Sequence, residues 1–99
     1  IERLGIATEV NAKAIVIPQG FTAEKLLTGE AAIAFQQISE LMEVKGIEVV
    51  SPLPEGAQTI AVFSGAAFAG AAGGAALLDA VAALCTPQAL RAKGLEPPA

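Results

Sequence analysis

Histidine, tryptophan and tyrosine are absent from this sequence, and cysteine and methionine occur once each. Each gap closes a class of function. Without histidine there is no imidazole base, and no Ser-His-acid triad can form within the chain. A lone Cys85 rules out an internal disulfide and, with no histidine, argues against a zinc site. Four phenylalanines are the only aromatics, and the net charge is −4. A nucleic-acid footprint needs clustered cations and stacking rings, so no nucleic-acid partner is expected. Charged residues make up 16% of the chain and hydrophobic residues 54%. That balance excludes a disordered chain. It also implies that part of the surface is covered by a partner, another domain or another copy.

Ninety-nine residues make at most one small domain. The opening Ile1-Glu2-Arg3-Leu4 reads as the tail of a helix stopped by Gly5. The chain is therefore expected to be a piece of a longer soluble protein, and the fragment is expected to self-associate. No basic-then-apolar export segment opens it. Residues 56–78 carry no charge and are long enough to span a bilayer. Their Ala/Gly richness, the Gly73-Gly74 turn and the following Asp79 argue against insertion.

The expected fold class is α/β. Ala14 to Ile17 is a short apolar run ended by Pro18, read as a buried strand. Gln19-Gly20 is a turn, and Thr22 is an N-cap with Phe21 and Leu26 at staple spacing. Gly29 ends that short helix. Ala31 to Phe35 is a second apolar run without alternation, as in a strand covered on both faces. Strand, helix and strand make a right-handed βαβ unit, whose ligand edge follows the first strand. Ile38 to Val44 is a turn or two of helix, Ile47 to Val50 a further strand, and Ser51 to Gly56 a loop. Thr59 to Phe68 is β-prone. Ala75 to Cys85 is a helix apolar nearly all round, expected to be buried on several sides. Thr86-Pro87 opens a last short helix that closes at Gly94.

Two places stand out for chemistry. At Gly20-Phe21-Thr22 a glycine lets a ligand approach backbone N–H groups at a helix start, enough to hold an oxyanion without Lys or Arg. A plain turn and helix cap, the commoner case, reads the same residues without a ligand. Gln36-Gln37 follows a strand directly, so one amide can face a ligand cleft and donate to an anion. An ordinary solvated loop reads them equally well. Ser64-Gly65 lacks the surroundings of a nucleophile elbow. The glutamates are scattered without acid–base pairing, and Cys85 reads as an inert packed thiol. No catalytic residue, metal ligand or cofactor is expected, and the chain is read as a binder rather than an enzyme.

Several segments in order resemble a known family. Leu26-Leu27-Thr28-Gly29-Glu30-Ala31-Ala32-Ile33-Ala34-Phe35 looks like the L-x-x-G-E-A-x-x-G-F stretch of type 2 periplasmic solute-binding proteins. Its nearest likeness is to the molybdate-binding branch of ABC importers. Gly46-Ile47-Glu48-Val49-Val50-Ser51-Pro52-Leu53-Pro54 resembles that branch's following strand and loop. Thr86-Pro87-Gln88-Ala89 and Lys93-Gly94-Leu95-Glu96-Pro97 resemble its C-terminal segments. The resemblance implies a bilobed protein that closes on its ligand around a hinge. Residues 1–55 would be part of its second lobe, and residues 56–99 a crossover strand and C-terminal helices of its first. It implies a periplasmic protein whose export signal lies upstream. Its partners would be a small anionic solute and the membrane subunits of the transporter. Gly20-Phe21-Thr22 matches one place where that family holds oxyanions with neutral donors. Gln37 falls where molybdate binders commonly carry a tyrosine, a departure that touches the choice of anion. A ligand-sensing domain of a transcription regulator, built on the same fold, is the alternative.

Overall fold

A computed structural model describes residues 1–99 as two compact units, Ile1–Gln58 and Thr59–Ala99. Five short α-helices carry the regular structure: α1 (Ala7–Asn11), α2 (Glu24–Leu27), α3 (Ile38–Leu41), α4 (Gly74–Leu84) and α5 (Pro87–Arg91). A single 3₁₀ turn lies at Glu55–Ala57. There is no β-strand.

The α/β expectation is therefore corrected. The apolar runs 14–17, 31–35, 47–50 and 59–68 stay irregular, so the βαβ unit does not exist here. The physical reason is pairing. A strand is defined by ladder bonds to a neighbour, and composition supplies only the preference. No backbone bond joins any of these runs to another.

Burial tells the same story. Ala23 and Val44, both in the first unit, are the only buried residues. The accessible surface is 8,404 Å². A compact monomer of this mass would expose roughly 5,200 Å². Large apolar side chains accordingly face water: Val16 is 87% exposed and Phe68 is 91% exposed.

In the first unit the local signals hold best at turns. Residues 1–6 close as a Schellman-type turn, with Gly5 N–H donating to Glu2 O and Ile6 N–H to Ile1 O. The helix expected to end there is only that turn. α2 is the short helix expected after Gly20, but its cap differs from the expectation. Ala23 occupies the N-cap position and no side chain caps the helix. The Thr22 hydroxyl is turned elsewhere, as described below. After α3 the chain turns at Gly46, where a side chain would meet Leu27 Cδ2 of α2 at 3.4 Å. Arg3 Nη1 donates to Gly56 O at 3.2 Å and ties the 3₁₀ turn to the start of the chain.

In the second unit α4 forms where its sequence places it. It is not buried on several sides: Leu77 is 65% and Leu84 76% exposed. Only Gly74 and Leu78, one turn apart, are half-buried. Residues 65–71 lie over that stripe. A Cβ on Gly74 would sit 2.9 Å from Ala67 Cβ, so only glycine admits this approach. Cys85 caps α4 with an exposed thiol, which corrects its reading as a packed one. α5 follows its sequence signal closely. Ala89 N–H donates to Thr86 Oγ1 at 3.2 Å, Pro87 sits in the first turn, and Leu95 N–H reaches Leu90 O across Gly94. No helix is long and apolar enough to cross a membrane.

Candidate functional site

The two places singled out in the sequence meet in the first unit. Gly20 has φ +88°, a left-handed conformation that any Cβ would strain. This glycine reverses the chain after residues 14–17 and aims the Thr22 N–H back toward Gln36. Gln36 answers with both ends of its amide. Its Oε1 accepts from Thr22 N–H at 2.9 Å, and its Nε2 donates to Gly20 O at 3.1 Å. Thr22 Oγ1 lies 3.2 Å from both Phe35 O and Gln36 Oε1, and its single proton serves either.

The result is a clasp. One glutamine side chain spans the turn that opens α2, and Thr22 pins the end of 31–35 from the other side. The Thr22 N–H expected to await an oxyanion is thus engaged internally. Gln36 Oε1 stands where an anion's oxygen would stand, receiving the donors that a carboxylate or oxyanion would receive. Thr22 and Gln36 are half-buried, which partly shields the bonds between them, while the bonds to Gly20 O and Phe35 O are exposed.

The other expected members do not join. Gln37 is exposed and serves as the N-cap of α3 through its backbone, with Glu40 N–H and Leu41 N–H both bonding to Gln37 O. Phe21 contributes its carbonyl to Glu24 N–H and no side-chain polar group. Ser64, which was not expected to act, lies in the second unit.

Glu30, one of the glutamates that read as scattered in the sequence, pairs here with Lys25, a residue the sequence did not single out. Lys25 Nζ bonds both carboxylate oxygens of Glu30 at 3.0 Å. Thr28 Oγ1 donates to Glu30 Oε1 at 2.9 Å or to Lys25 O at 3.2 Å. The bonds from Lys25, and then from Thr28, hold the Glu30 carboxyl below its ordinary range. A signal was available in sequence. Lys25 is the second residue of a four-residue helix, and the Gly29 turn that follows it, φ +73°, swings Glu30 back over it. Both residues line a groove of about 660 Å³ together with Lys13, Ala14, Ile15, Ile17, Thr22 and residues 31–35. Its walls are otherwise apolar, set by Val10, Ile15, Ile17, Ile33 and Phe35. A site of this kind combines a neutral donor, the Lys13 ammonium, the Lys25–Glu30 ion pair and apolar contact area. It suits a small organic anion better than a bare metal ion.

No family model and no solved structure matches the chain. An aconitate isomerase from a Pseudomonas species is 34% identical over 98 residues, which cover 96% of this chain and 37% of that protein. The chain thus spans little more than a third of the length of the curated relative it matches. That relative is named as an enzyme, and this similarity corrects the expectation that the chain has no part in catalysis.

Proposed function

We propose that these residues are part of an isomerase acting on aconitate or a closely similar unsaturated polycarboxylate. The observation that carries this is the 34% identity to an aconitate isomerase along nearly the whole chain. The local chemistry supports it. A polycarboxylate is recognised by N–H, O–H and ammonium donors. Thr22, Lys13 and Lys25 line one groove, and Gln36 bonds to Thr22 beside it. On this reading the substrate carboxylate takes the Thr22 N–H and hydroxyl, and the Gln36 amide rotates away to donate through Nε2.

The test is direct. The purified protein is incubated with cis- or trans-aconitate and the isomer ratio is followed by proton NMR, with calorimetric titration alongside. Conversion above the buffer rate, or heat that vanishes with Thr22→Val, supports the reading. Neither conversion nor heat removes it.

A second reading keeps a specific observation in its favour. The clasp holds an oxygen with neutral donors only, as the resemblance to molybdate-type solute-binding proteins implies. On that reading the protein captures a small oxyanion for a periplasmic importer. Heat from molybdate or tungstate, with none from aconitate, would favour it.

A further inference from the structure

The chain has a net charge of −4, yet the groove of its first unit carries the opposite sign. Lys13, Lys25 and Glu30 are the only charged residues in the lining, which leaves an excess of one positive charge. Apart from Thr22 the rest of the lining is apolar. Apolar walls reduce the screening of a charge beside them, so one uncompensated ammonium dominates the field there.

The two lysines are not equivalent. Lys25 Nζ already bonds both carboxylate oxygens of Glu30 at 3.0 Å, and Thr28 Oγ1 lies 2.9 Å from the same carboxylate. An anion that approaches Lys25 meets the Glu30 charge beside it, and attraction and repulsion largely cancel. Lys13 makes no ion pair and no side-chain hydrogen bond. Its backbone is nonetheless fixed. Lys13 N–H bonds to Val10 O at 3.1 Å in the turn that closes α1, and Val10 and Lys13 enter the groove lining together.

We infer that Lys13 determines which ligands this groove accepts: its ammonium anchors a carboxylate of a polycarboxylate ligand, while the Lys25–Glu30 pair stays closed and adds no net charge. The inference deepens the carboxylate reading of the groove and rests on it, but it does not require that the ligand be converted. A ligand without a carboxylate gains nothing from Lys13 and keeps only the apolar contact.

Calorimetric titration of the full chain at low ionic strength tests it, with tricarballylate as a saturated probe that has no double bond to isomerise. Lys13→Met should weaken binding at least about tenfold, and Lys13→Arg should restore most of it. Lys25→Met leaves Glu30 uncompensated and should weaken binding as well. The double variant Lys25→Met/Glu30→Gln brings back the excess of one positive charge, and should bind within about threefold of the wild type. A double variant as weak as Lys13→Met overturns the inference, because Lys25 is then the anchor. Binding indifferent to Lys13 overturns it, as does the absence of saturable binding to the wild type. Proton NMR with aconitate separates the two readings. Conversion that survives Lys13→Met sinks the anchor and leaves the isomerase standing. Lys13-dependent binding of tricarballylate without conversion of aconitate keeps the anchor and counts against the isomerase.

Discussion

Replacing Gln36 with alanine removes both ends of the clasp at once. The side-chain bonds lost are Thr22 N–H to Oε1 at 2.9 Å and Nε2 to Gly20 O at 3.1 Å. Each is worth about 0.5–1.5 kcal/mol net, and the half-buried position lets water recover part of it. A local loss of about 1–2 kcal/mol follows, which corresponds to roughly a 5- to 30-fold rise in the open population of the turn. Global unfolding is a poor readout, because the clasp ties one turn to one run. The Thr22 amide is the better one, since its exchange reports opening of its own bond. Exchange by NMR should speed up by that factor at Thr22 and much less in α5. Gln36→Glu keeps an oxygen for Thr22 N–H but sets a second oxygen against Gly20 O, so it should recover only part of the protection. An unchanged Thr22 exchange rate in Gln36→Ala would refute the clasp. Gln37→Ala is the control: that side chain is exposed and makes no bond, so its effect should stay within about 0.5 kcal/mol.

Gly20→Ala should cost about 1–2 kcal/mol in the first unit, because the turn demands φ +88°; loss of Thr22 amide protection checks this, and unchanged protection counts against it. Thr86→Ala removes the hydroxyl that accepts from Ala89 N–H, and should weaken α5 by about 1 kcal/mol, seen as faster exchange at Ala89 while α4 keeps its rates. The Glu30 carboxyl is lowered by Lys25 first and Thr28 second, so its bonds favour the folded arrangement above the ordinary carboxylate range. That contribution is lost as pH falls through the lowered value. A carbon-detected titration of Glu30 should therefore show a midpoint below the ordinary glutamate range, and Lys25→Met should raise it.

Legibility in the sequence followed the range of the interaction. Thr86-Pro87 and Gly94 specify both ends of α5 within nine residues, and the cap and the Schellman closure sit where those letters stand. The span of α4 was readable for the same reason. Cap chemistry failed at Thr22, whose hydroxyl prefers Phe35 O and Gln36 Oε1 to the helix. Those acceptors lie 13 and 14 residues away, beyond the reach of any cap rule. The amide pair was noticed, but period and spacing cannot say which of two adjacent glutamines turns inward. The strands were misjudged for a deeper reason. Runs such as 31–35 have the composition of covered strands, yet strandedness belongs to a pair of segments.

By itself, then, the chain's order of residues determined where it turns and where its short helices start and stop. Left-handed glycines, a Thr-Pro cap and helix-favouring alanines act over a few residues and tolerate any surroundings. Only the tertiary structure decided that Gln36 closes on Thr22, that Glu30 answers Lys25, and that the apolar runs remain unpaired. Those outcomes depend on which distant backbone or side chain arrives within 3 Å, and for the runs none does.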